Sequence, residues 1–143
     1  MSPRSALAAI LVSIFAGLAL LHFYWATGRS GSLAGTVPTA SGRPLFSPGP
    51  LACIAVGSAL VLAAVACGVR AGWLLNALPA WLSQAGVWGL AGVFGLRAIG
   101  DFHYVGFSKR VRDSVFARRD TWLYSPLCVL ISLLAIGLAR SGD

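Results

Sequence analysis

The sequence predicts an all-α polytopic membrane protein. The expected architecture is a four-transmembrane-helix bundle with a long first loop and a basic, amphipathic third loop, all 143 residues forming one integral membrane domain. Three observations predict it. Only 10% of the residues are charged and 57% are hydrophobic, with a mean hydropathy of +0.80; soluble domains carry about 25% charged residues. Four apolar runs, about residues 6–25, 50–69, 79–99 and 121–139, each approach the roughly 20 residues that a helix needs to cross a bilayer. The net charge of +7 comes from basic residues lying between those runs. That pattern orients membrane proteins and meets anionic headgroups, and it lacks the clustered face of a nucleic-acid binder.

Run one resembles a signal peptide in having Arg4 before it. It ends in His22-Phe23-Tyr24-Trp25, and bulky aromatics disfavour cleavage, so a retained helix is expected. Ala9, Ser13 and Gly17 make a small-residue ridge on it. Residues 26–49 are rich in Gly, Ser and Pro and predict a non-helical loop, long enough to act as a lid. Run two opens on Pro50, suited to a first helical turn, and carries the ridge Ala55, Ala59, Ala63 and Cys67. The short second loop makes runs two and three antiparallel neighbours.

In run three Gly86, Gly89, Gly92 and Gly95 recur every third residue, which predicts close packing in lipid. The third loop carries Lys109, Arg110, Arg112, Arg118 and Arg119, while Tyr104, Phe107, Val111 and Val115 share a helical face. A basic interfacial helix is expected there. Run four starts either at about Thr121, with Asp120 as its cap, or at Ser125-Pro126; the earlier start is favoured because the later one leaves about 21 Å of helix, too short to span. Cys53, Cys67 and Cys128 are dispersed in apolar runs and read as packing residues.

Four spans put both termini and the second loop on one side, with Arg4, Arg70 and Arg140. The other side carries Arg29, Arg43, Lys109, Arg110, Arg112, Arg118 and Arg119. The positive-inside rule therefore places loops one and three in the cytoplasm and both termini outside. The same topology gathers His22, Tyr24, Trp25, Arg97, Asp101, His103, Asp120, Tyr124 and Ser125 at the cytoplasmic end.

Arg97 and Asp101 stand one helical turn apart if the helix continues through them, a spacing that favours an ion pair. The pair serves either as an interfacial anchor or as one wall of a pocket that binds a polar or anionic group. His22 belongs either to an aromatic belt with Tyr24 and Trp25 or to acid–base chemistry, with Asp101 orienting it. Tyr124-Ser125 and Asp120 either cap run four, or Tyr124 and Asp120 line the pocket with His103 and Tyr104. No metal-ligand spacing, phosphate loop, dinucleotide fingerprint or nucleophile elbow is present, so no metal or cofactor is expected.

His22-Phe-Tyr-Trp-Ala, Gly42-Arg-Pro-Leu-Phe with Pro48-Gly-Pro, Arg97-Ala-Ile-Gly-Asp-Phe-His-Tyr-Val-Gly-Phe, Phe116-Ala, and Asp120 with Tyr124-Ser-Pro-Leu-Cys resemble the membrane family catalogued as domain of unknown function 3995. The resemblance spans nearly the whole chain. It implies a small four-helix protein of the bacterial inner membrane and supplies no activity.

Two functional expectations follow. One is a polar pocket at the cytoplasmic end, binding a small amphipathic or lipid-like ligand, with His22 and Asp101 as acid–base residues and Tyr24, Trp25, Arg97, His103, Tyr104, Asp120 and Tyr124 as ligand contacts. The other is a non-catalytic accessory subunit of a larger membrane complex, docked through its small-residue ridges. The expected partners are membrane lipids, the amphipathic ligand, and either further copies or a larger complex. A transporter is disfavoured, since no inverted repeat is evident.

Overall fold

The computed structural model describes residues 1–29, 36–74 and 78–141. Residues 30–35 of the first loop and 75–77 of the second, Asn76 included, lie outside the described residues, as do 142–143.

Helix α1 (Pro3–Ala26) starts where the Ser2 hydroxyl accepts from the Ser5 amide. Helix α2 (Pro50–Arg70) opens on its proline behind Gly49. Helix α3 (Ala80–Ile99) follows Pro79 and stops at Gly100, whose φ of +93° a side chain would resist. The last rod runs from Val115 to Arg140 and has three parts: α4 (Val115–Arg119), a π-turn (Asp120–Tyr124) and α5 (Ser125–Arg140). The Ser114 hydroxyl accepts from the Ala117 amide and begins the rod at Val115, six residues before the earlier expected start at Thr121.

Pro126 explains the π-turn. Its ring lacks an N–H and would strike the carbonyl four residues back. The chain widens instead, and the Ser125 amide donates to Asp120 O, five residues back. Asp120 and Ser125 both turn inward and are fully buried.

Three helices, Pro3–Ala26, Pro50–Arg70 and Val115–Arg140, are long and apolar enough to cross a membrane. The α3 helix, 20 residues long, interleaves glycines with Ser83, Gln84 and Arg97 and falls outside that group. Large apolar side chains such as Leu20, Leu51, Leu62, Leu96 and Leu133 face outward, as lipid contact requires.

The helices associate most closely as two pairs, α1 with α2 and α3 with α5. Leu11, Phe15, Cys67, Val87, Ile131 and Leu138 fill the centre, and the Phe15 and Phe94 rings meet at 5.5 Å. Across α3 and α5, the Ser132 hydroxyl donates to Ala91 O at 2.8 Å. The starts of α1 and α3 meet the ends of α2 and α5 at one end of the bundle. There Arg4 Nε donates to Arg70 O at 2.7 Å, Gln84 Nε2 to Ala139 O at 3.2 Å, and Arg70 to the carbonyls of Ala139 and Ser141. Cations on C-terminal carbonyls satisfy orphan acceptors and oppose the helix dipole.

Two expectations about packing are corrected. The α3 glycines do not form an internal ridge: around Gly86, Gly89 and Gly92 nothing lies within 4 Å of a Cβ position, and only Gly95 approaches α5, at Ser132. Gly17 is equally open, and the close α1–α2 approach is at Gly57, where a Cβ would meet the Phe23 ring at 2.7 Å. The third loop also forms no amphipathic helix through Tyr104, Phe107 and Val111; only its last residues, Val115–Arg119 with Arg118 and Arg119, are helical. Residues 100–114 are non-helical because Gly100 and Gly106 (φ +84°) reverse the chain.

In the first loop Thr39–Ala40 pairs antiparallel with Arg43–Pro44. Ser41 and Gly42, at φ +50° and +77°, make the tight turn that suits a two-residue hairpin.

Candidate functional site: a buried ion cluster and a histidine cleft

The centre of the loop-bearing end is Asp120. Its Oδ1 accepts from Arg97 Nη2 at 2.9 Å, and its Oδ2 accepts from Lys109 Nζ at 3.0 Å and the Gly106 amide at 2.7 Å. Lys109 Nζ also donates to Gly106 O at 2.9 Å and Thr121 Oγ1 at 2.7 Å. All three ammonium hydrogens thus have acceptors. Asp120 is fully buried and Lys109 is 2% exposed. Charges that deep persist only when paired and hydrogen-bonded.

The third loop is shaped to bring Lys109 and Gly106 there. Asp101 Oδ1 accepts from the amides of His103, Tyr104 and Val105 at 2.9, 2.7 and 2.9 Å. The loop then folds back on the end of α3: the Phe107 amide donates to Ala98 O at 2.9 Å and the Ser108 amide to Ile99 O at 3.2 Å. These bonds satisfy carbonyls that every helix end leaves open. Gly100 and Gly106 cross so closely that a Cβ on Gly100 would lie 1.7 Å from Val105 O. The slight burial of Asp101 pushes its carboxyl pKa upward, but the amides of His103, Val105 and Tyr104 outweigh it and hold the group below its ordinary 3.8.

This arrangement corrects the expected Arg97–Asp101 pair. Gly100 ends the helix before Asp101 completes the turn, and Arg97 reaches across to Asp120. Asp101 is likewise no partner for His22, because the hydrogen bonds of its carboxylate go to its own loop. His103 is exposed, stacking edge-on against the half-buried Tyr104 at 4.4 Å. Tyr124, half-buried, lies 5.9 Å from the Phe116 ring. Lys109, grouped by its sequence neighbourhood with headgroup contacts, is instead a core ion.

His22 stands in a separate place. It lines a cleft of about 250 Å³ between the end of α1, the start of α2 and the first loop, with Trp25, Val37, Phe46, Pro48 and Cys53 among the other walls. Its Nδ1 lies 2.8 Å from Leu18 O, and its ring meets Trp25 at 5.0 Å. A carbonyl only accepts, so Nδ1 is the donor in this contact and Nε2 is the ring nitrogen outside it. Tyr24 is 52% exposed and is not among the residues that line the cleft. Of the residues expected to share one pocket, His22 and Trp25 come together here, and Arg97 and Asp120 come together in the cluster. Among the described residues no three His, Cys, Asp or Glu side chains converge as a metal site.

Sequence reasoning missed the role of Lys109. A signal was present, because it is the chain's one lysine among ten arginines. A compact ammonium with three donors suits three acceptors crowded on one side, whereas a planar guanidinium does not.

What the fold and these sites define is a small helical membrane protein with an ion cluster buried at one end of its bundle. The chain belongs to the family described as "Protein of unknown function (DUF3995)", whose model matches residues 15–135. That match takes in His22, the hairpin, the third loop and the whole ion cluster. No curated protein and no solved structure matches the chain.

Proposed function

We propose that the chain is a four-span protein of the bacterial inner membrane that binds a small amphipathic ligand in the His22 cleft. The observation that carries this reading is the make-up of the cleft: apolar walls from Trp25, Val37, Phe46 and Pro48 around one imidazole. Its volume, about 250 Å³, is below the roughly 300–1,000 Å³ of drug-sized pockets, which fits a short amphiphile or the head-proximal part of a longer one. The ligand's apolar part contacts Trp25 and Phe46, and its polar group meets Nε2 of His22. The first loop acts as the lid, and any acid–base step rests on His22 alone. In this reading α3 spans with the other three helices, loops one and three face the cytoplasm, and both termini face outside.

The test is binding of a dansyl-labelled fatty acid to the purified chain in mild detergent, read by energy transfer from tryptophan. His22→Ala and Trp25→Ala are expected to weaken binding about tenfold while the fold is retained. Unchanged affinity in both variants rules the cleft out. Reporter fusions to loop three and to each terminus check the orientation.

A second reading, the accessory subunit, is favoured by the open glycine face of α3 at Gly86, Gly89 and Gly92. A stable stoichiometric partner on purification, lost in Gly89→Leu, supports it over the cleft.

A further inference from the structure

The register of α3 against α5 fixes what lies beside the ion cluster. Ser132 faces Ala91 through its hydroxyl. One heptad toward the loop-bearing end, α3 reaches Ala98 while the antiparallel α5 reaches Ser125. Ser125 is therefore level with Arg97, and its amide donates to the backbone of Asp120, the residue that Arg97 grips.

Two polar atoms at this level are buried with no hydrogen-bond partner among the described residues: Arg97 Nη1 and Ser125 Oγ. Buried polar groups are normally satisfied, and an arginine cannot shed its proton to become so. The charge here is also unbalanced. Asp120 carries one negative charge against the two positive charges of Arg97 and Lys109. Lys109 has acceptors for all its hydrogens, whereas Arg97 Nη1 has none among the described residues. The Arg97 side chain is 33% exposed, so the guanidinium lies near the surface although Nη1 itself is buried.

We propose that Arg97 Nη1 and the Ser125 hydroxyl form an anion-binding subsite that holds an oxygen of a phosphate or carboxylate group. The guanidinium supplies charge and a directed donor, the hydroxyl supplies a second donor, and Asp120 fixes the guanidinium in place. This subsite does not rest on the His22 cleft. A bound water meets both atoms equally well in hydrogen bonding but leaves the surplus charge uncompensated.

Thermal unfolding of the full chain in a neutral detergent tests it, with phosphatidylglycerol, phosphatidylcholine, sodium phosphate, or sodium chloride of matched ionic strength added in separate arms. Phosphatidylglycerol or phosphate is expected to raise Tm where phosphatidylcholine and chloride do not. A response to phosphatidylglycerol alone assigns a lipid headgroup; a response to phosphate as well assigns a free anion. Ser125→Ala removes the hydroxyl alone and is expected to weaken the apparent Kd about tenfold. Arg97→Lys, which keeps the charge without Nη1, is expected to weaken it similarly and decides the matter if Ser125→Ala does not fold. An anion response no larger than that of the neutral lipid and chloride overturns the proposal. So does a Ser125→Ala protein that folds and responds like the wild type.

Discussion

Arg97 donates to Asp120 at 2.9 Å across 23 positions of sequence, although Asp101 stands only four positions away. The bond joins the end of α3 to the π-turn of the last rod. With Lys109 on the other carboxylate oxygen, it locks the third loop onto the bundle.

Removing the centre of that cluster leaves Lys109 buried and uncompensated. Asp120→Ala is expected to destabilise the protein by about 3–5 kcal/mol, as breaking a buried pair from one side does. Lys109→Met in the Asp120→Leu background is expected to recover much of the loss, because it removes the stranded charge as well. Lys109→Arg is expected to be destabilising in spite of its charge, since a planar fork does not fit three acceptors on one side. Equilibrium unfolding in detergent measures each.

The glycines divide into two groups with opposite expected responses. Gly100→Ala and Gly106→Ala place a Cβ 1.7 Å from Val105 O and 2.4 Å from Gly100 Cα, each at positive φ. Both are expected to cost more than about 3 kcal/mol or to abolish folded yield. Gly86→Ala and Gly89→Ala meet open space and gain up to about 1 kcal/mol of helix propensity. Their Tm values are expected to be unchanged or higher.

Acid should release the Asp101 turn in a defined direction. Its folded pKa is held below 3.8, so its contribution to stability is fully present above the unfolded value and is lost as pH falls through the lower folded value. The amide resonances of His103, Tyr104 and Val105 are expected to hold their positions at pH values above 3.8 and to shift together below it. In Asp101→Asn that joint titration is expected to vanish, as NMR of the chain in micelles would record.

At the opposite end, Arg70 holds the carbonyls of Ala139 and Ser141 from within a site where it is only 5% exposed. Arg70→Met keeps the apolar stem and deletes the donors. It is expected to cost about 1–3 kcal/mol, the penalty for leaving buried acceptors unpaired, with increased hydrogen exchange over the last turn of α5.

Much of the framework was legible because it depends on local chemistry. Pro50 opens α2, and the apolar runs are long enough to be helices whatever they pack against. The low charge and high apolar content alone point to lipid. Even the polar end was readable, since the chain direction alternates from one run to the next and so collects His22, Arg97, Asp101 and Asp120 on one side.

Pairing within that end was not legible. Spacing put Arg97 with Asp101, but only on the assumption that the helix continued, and Gly100 already signalled that it stops. No local pattern links Lys109 to Asp120 or turns Ser125 inward; those depend on a π-turn forced by Pro126 and on the register of α3 against α5. Nor could the glycine pattern say which way it faces: Gly86, Gly89 and Gly92 look outward and Gly57 looks in. The sequence by itself determined the apolar runs that become the long helices and which solvent they need, because apolar content is a property of each segment alone. Tertiary structure decided which charge meets which, because an ion pair is a relation between two surfaces whose positions are fixed only when the helices pack.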